Sequence, residues 1–132
     1  MTSRFLEREN NIEIYSPGYL FEGDRPSFVN PPPDVINYAK GFTIATSHPI
    51  AGVRLIRLGA VTHSVDMDQR SIGLAFEDAP SINGPTYGVY APEDANIAPP
   101  GFYMFFVLGP KSASQSGQTM IPSVAKIVKL ER

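Results

Sequence analysis

Gly101-Phe102-Tyr103-Met104-Phe105-Phe106-Val107-Leu108 decides the fold. Eight apolar or aromatic residues stand between Pro99-Pro100 and Gly109-Pro110, too few for the roughly 20 that a membrane helix needs. Aromatic and β-branched side chains suit a pleated surface, and a run apolar on both alternating faces is expected for a central strand covered on each side. Downstream, Lys111 to Thr119 is a Ser, Gln and Gly loop that reads as the tip of a long hairpin. Ser123 to Leu130 is the strand that returns from it.

Working outward, similar short runs recur, each closed by Gly, Pro, Asn or Asp, the pattern of an all-β sandwich or barrel. About eight can be counted. Ile12 to Tyr15 is the first, stopped by Ser16-Pro17-Gly18, and Phe28-Val29 follows. Pro31-Pro32-Pro33 then forces an extended link, since proline has no amide to give to a ladder. Phe42 to Thr46 alternates in the manner of a half-buried strand. Within Val53 to Leu58 the alternation slips near Leu55 and Ile56, which predicts a bulge. Ser64 to Met67, Ile72 to Phe76 and Tyr87 to Tyr90 complete the set. One domain is expected over 11–132, with 1–10 as a flexible arm or linker.

Composition excludes several functions. Cysteine is absent from the 132 residues, which removes thiol nucleophiles, Cys-ligated zinc and iron–sulfur centres built within this chain. Thirteen prolines and eleven glycines are too many for a protein of long helices. A formal charge of −2 gives no basic field for nucleic acid or an anionic membrane. No signal-peptide apolar segment opens Met1 to Asn10, so the sequence reads as cytoplasmic unless it is a piece of a secreted, extracellular protein.

A resemblance rests on four blocks in order: Ile14 to Phe21 with Arg25-Pro26; Thr62-His63, four residues, then Asp68-Gln69-Arg70; Pro99 to Met104; and Pro122 to Ala125. Together they resemble the C-terminal domain of copper radical oxidases of the galactose oxidase and glyoxal oxidase type. The resemblance implies an immunoglobulin-like early-set β-sandwich, which agrees with the strand count. It also implies a preceding seven-bladed kelch propeller that holds two tyrosines, one cross-linked to a cysteine, and a histidine around copper. A sandwich loop adds one more histidine, and His63 stands at that position, with Thr62, Asp68, Gln69 and Arg70 supporting it.

The parent chemistry would be oxidation of an alcohol or aldehyde with reduction of dioxygen to hydrogen peroxide. Without a cysteine or a propeller, this chain is expected not to be an enzyme on its own and to hold no cofactor tightly. Copper belongs to the parent family. A kelch-type propeller, as domain or separate chain, is the expected partner. A homo-oligomer through the propeller-facing surface is the other, and an exposed apolar patch beside His63 would mark either contact.

Other constellations are weaker. A lone histidine is usually an ordinary surface residue, and His48, in a Ser47-His48-Pro49 turn, reads as one. Asp66 and Asp68 would face the same way in a strand, yet such acids commonly close turns and pair with arginine. Tyr15, Tyr19, Tyr38, Tyr87 and Tyr90 leave open a carbohydrate-binding or protein-interaction sandwich with no oxidase role. Ser64 and Ser123 have no His and acid at a nucleophile's spacing, and no phosphate loop is present.

Overall fold

The computed structural model describes residues 12–110 and 120–132. Along the chain come a 3-10 turn, Gly18–Phe21, and the strands β1 (Phe28–Asn30), β2 (Val35–Asn37), β3 (Gly41–Thr46), β4 (Gly52–Arg57), β5 (Ala60–Thr62) and β6 (Val65–Met67). After them run β7 (Ser71–Gly73), β8 (Phe76–Asp78), β9 (Thr86–Tyr90), β10 (Gly101–Leu108) and β11 (Lys126–Glu131). The expected immunoglobulin-like β-sandwich is the observed architecture. One sheet has the order β1-β3-β9-β8 and the other β2-β11-β10-β4-β7, while β5 and β6 form a separate two-stranded hairpin.

β10 is central, antiparallel to β11 on one side and to β4 on the other. The long hairpin from β10 to β11 is as the sequence implies, though its expected tip, Lys111 to Thr119, and the expected arm, 1–10, lie outside the described residues. Tyr103, Phe105 and Val107 point inward and are fully buried, with Val53 and Leu55 of β4 and Val128 and Leu130 of β11 beside them. Ile44 of β3 and Val89 of β9 close the core from the facing sheet. Phe105 sits at its middle, with the rings of Phe28 and Phe42 each 5.9 Å away and tilted, a favoured aromatic geometry.

Several local expectations are corrected. Ile12 to Tyr15 forms no strand. β4 pairs with β10 without interruption from Gly52 to Arg57, so there is no bulge at Leu55 and Ile56. The apparent slip arises because Ile56 faces outward and Arg57 inward. Ile72 to Phe76 divides into β7 and β8, which join different sheets. β2, parallel to β11, and β5 were not expected as strands. Finally, β10 is covered on one face only: Phe102 on the other is 55% exposed, and Ile127 of β11, which pairs with Met104 on the same face, is 45% exposed.

Candidate functional site

His63 stands at the tip of the β5–β6 hairpin. Thr62 pairs with Val65, so the turn has two central residues, His63 at φ 51° and Ser64 at φ 63°. Positive φ at both positions is what a type I′ turn requires, and it matches the right-handed twist of the flanking strands. Glycine or asparagine usually fills such positions. Four described non-glycine residues have positive φ, and three of them, His63, Ser64 and Asp68, belong to this hairpin and its base.

The hairpin stands clear of the sandwich, and every residue from Leu58 to Gln69 is exposed. His63 Nδ1 lies 2.8 Å from Thr62 Oγ1, while Nε2 makes no hydrogen bond with a described residue. Because β5 and β6 pair in register, Ala60, Thr62, Val65 and Met67 share one face, and Val61 and Asp66 share the other. Val61 is 75% exposed, and Leu58, Val65 and Met67 are also bare. Bare apolar side chains thus flank His63 on both sides of the hairpin, Val65 and Met67 on one face and Val61 on the other.

The base of the hairpin is tied down by polar contacts. Asp66 Oδ1 accepts the Ala60 amide at 3.0 Å, across Gly59. A Cβ at residue 59 would lie 2.6 Å from that carboxylate oxygen, so glycine alone leaves it room. Asp68 turns the other way and pairs with Arg57 Nε at 2.5 Å, so the two acids do not form a carboxylate pair. Gln69 Nε2 donates to the Asp66 carbonyl at 3.3 Å. Arg70 Nη1 donates to the Ile97 carbonyl at 2.9 Å and the Asn96 carbonyl at 3.3 Å.

Arg57 enters from the inward face of β4. Its Nη1 donates to the carbonyls of Pro99 and Pro100 and to the Tyr103 hydroxyl, which itself donates to the Pro99 carbonyl at 2.6 Å. The guanidinium also lies 5.5 Å from the centre of the Tyr103 ring, a cation–π distance. The Tyr38 hydroxyl donates to the Ala98 carbonyl at 2.6 Å, and partial burial, reinforced by Tyr103, raises its pKa above the ordinary tyrosine value. The 96–100 loop is thereby fixed to the hairpin base.

Other sequence candidates lie elsewhere or have structural partners. His48 lines a cleft with Glu22, Asp24 and Gly109, at the opposite end of β10, and its Nδ1 is 2.9 Å from Ser47 Oγ. Ser123 is buried, with its Oγ accepting the Val107 amide. Tyr87 receives the Ile50 amide, and Tyr90 donates to Glu77. Tyr15 and Tyr19, in contrast, are exposed near the start of the described chain. An exposed apolar patch beside His63 was expected without naming its residues, and Arg57 was not among the sequence candidates. Arg57 could be recognised only from its inward position.

The chain's similarity to known proteins agrees with this fold. The family described as galactose oxidase-like, early set domain matches residues 25–130. A galactose oxidase of Gibberella zeae is 30% identical over 125 residues, covering 91% of this chain and 17% of the relative. An aldehyde oxidase GLOX of Vitis pseudoreticulata is 29% identical over 132 residues, covering 92% of this chain and 23% of the relative. A structure described as a novel fungal alcohol oxidase with catalytic diversity among the AA5 family, in complex with copper, superposes with a TM-score of 0.65. It is 31% identical and covers 89% of this chain but only 24% of the other. The chain thus spans less than a quarter of each of these proteins. Coverage of 25–130 by one family profile, on the fold described above, places the chain among the galactose oxidase-like early set domains.

Proposed function

We propose that this chain is the accessory module of a copper radical oxidase, and that His63 is the one copper ligand it donates to a kelch-type propeller partner. The observation that carries this reading is the projecting hairpin, with an exposed imidazole at its tip and bare apolar side chains along its flank. A proton on Nδ1 would be held by Thr62 Oγ1, which leaves the Nε2 lone pair pointing away for a metal. Neutral imidazole suits copper(II).

The residues present fit one position of such a centre and not a whole one. Among the described residues no group of three or more His, Cys, Asp or Glu could hold a metal ion. On this reading the module is non-catalytic alone, and tight binding waits for ligands from the partner. Bound copper supplies the redox centre of the assembled oxidase. This chain's residues orient the imidazole, accept the hydrogen bond of its one ring proton at Thr62 Oγ1, and turn Val65 and Met67 toward the partner's surface. The substrate class, an alcohol or aldehyde, and an extracellular setting come with the parent oxidase.

The test fuses the module behind the propeller part of a galactose oxidase, in place of that enzyme's own early-set module. Copper(II) titration followed by electron paramagnetic resonance should show tight binding in the fusion and weak binding by the free chain, with both abolished by His63→Ala. Equal binding by the His63→Ala fusion would remove the ligand role. Glycan binding that ignores His63 would instead favour a sugar-binding module. No observation favours that second reading, since Tyr38 and Tyr87 use their hydroxyls within the fold.

A further inference from the structure

We infer that Arg57 is the positioning residue that fixes the angle of the β5–β6 hairpin on the sandwich, and so the direction in which His63 is presented. The inference rests on the proposed role of His63, but its evidence is separate. Only Leu58 and Gly59 link β4 to β5, and β5 and β6 pair only with each other. No ladder to either large sheet sets the direction of the hairpin. Something else must: the Leu58 amide reaches the Phe102 carbonyl and Arg70 holds the Asn96 and Ile97 carbonyls, but the one group that joins hairpin, loop and core strand at once is the Arg57 guanidinium.

Arg57 has its backbone in β4, where its amide donates to the Arg70 carbonyl at 3.0 Å. Its side chain, 20% exposed, reaches three separate parts of the molecule. Nε pairs with Asp68, at the end of the hairpin and at φ 62°. Nη1 meets the carbonyls of Pro99 and Pro100, and the plane lies beside the Tyr103 ring in the core. Gly101, at φ 144°, makes room: a Cβ there would lie 3.3 to 3.5 Å from the guanidinium atoms. Hairpin, loop and core strand thus meet on one rigid planar group.

Lysine could not replace it. A planar fork presents donors in fixed directions and can hold a carboxylate and carbonyls at once, whereas an ammonium is a single point on a flexible stem. Arg57→Lys keeps the charge and should satisfy either Asp68 or the proline carbonyls, but not both. The sandwich would remain and the hairpin would swing.

Residual dipolar couplings of the isotopically labelled full chain read this directly. In the unaltered protein the couplings of Ala60, Thr62, Val65 and Met67 should fit the same alignment as those of β3 and β9. In Arg57→Lys the hairpin couplings should fall at least twofold while those of β3 and β9 persist. Asp68→Asn removes the partner charge at a 41% exposed side chain and should give the same result, which keeps the test open if Arg57→Lys fails to fold. His63→Ala should leave every coupling in place, so failure of the ligand role and failure of the positioning role are told apart. In the copper-loaded propeller fusion, Arg57→Lys should shift the copper hyperfine splitting, whereas a residue that only held the fold together would not move it. Unchanged hairpin couplings in Asp68→Asn, or hairpin and sandwich averaging together in either variant, would overturn the inference.

Discussion

His63 and Ser64 occupy backbone conformations that L-residues adopt at a cost of about 1–2 kcal/mol each. Strain of this kind persists where surroundings enforce it, and it clusters at functional sites. Ser64 makes the cost testable without touching the imidazole. Ser64→Gly should stabilise the chain by about 1 kcal/mol through relief of the left-handed conformation. In a domain of this size that is a rise in melting temperature of about 3–5 °C. Unchanged or lower melting, measured calorimetrically, would mean the turn is not strained as its φ values imply. His63 could be singled out as a candidate from its neighbours in sequence, Thr62 and the Asp68-Gln69-Arg70 run. Its turn could not, because no Asn-Gly or Asp-Gly pair marks it. Arg57 was hidden for a related reason, since a charged residue in a strand is read as facing solvent and this one turns inward to Tyr103.

At the scale of the element, long strands were legible and short ones were not. β3, β9 and β10 carry enough alternation or aromatic content to stand out, whereas the three-residue strands β2 and β7 owe their pairing to neighbours distant in sequence, and β5 is a short arm of a hairpin whose turn carries no sequence signal. The edge pair β8–β9 carries a contact with a pH signature. The Tyr90 hydroxyl donates to Glu77, and this hydrogen bond, with the carboxylate's charge next, raises the phenol above the ordinary 10.0. The neutral phenol is the bonded form, so this contribution to stability is fully present below the unfolded value and is lost as pH rises through the raised folded value. Ultraviolet difference titration should find two tyrosines, Tyr38 and Tyr90, ionising later than an ordinary exposed one. Glu77→Gln should bring Tyr90 alone back toward 10.0. A titration curve unmoved by that substitution would show that the carboxylate does not act on Tyr90.

Across the whole molecule the two sheets differ in what they turn outward. The β1-β3-β9-β8 sheet presents Thr43, Ala45, Thr86 and Gly88, while the other presents Ile56, Met104, Phe106 and Ile127, with Met104 paired to both Ile56 and Ile127. An apolar run such as Gly101–Leu108 looks the same in sequence whether its second face is covered by its own chain or by a partner, which is why covering on both faces was expected. The outer face also adjoins the hairpin, because Ile56 and Met104 line a cleft of about 410 Å³ with Asp66 and Gln69. Introducing lysine at both Met104 and Ile127 tests whether the folded chain needs this surface. Long lysine stems can lie along the sheet with their charges in water, so melting should shift by less than about 1 kcal/mol while binding of an apolar dye falls. A concentration-dependent mass that the lysines abolish in sedimentation equilibrium would identify the face as a contact between copies. Collapse of the fold would instead show that the face is packed within the chain itself and is not free to receive a partner.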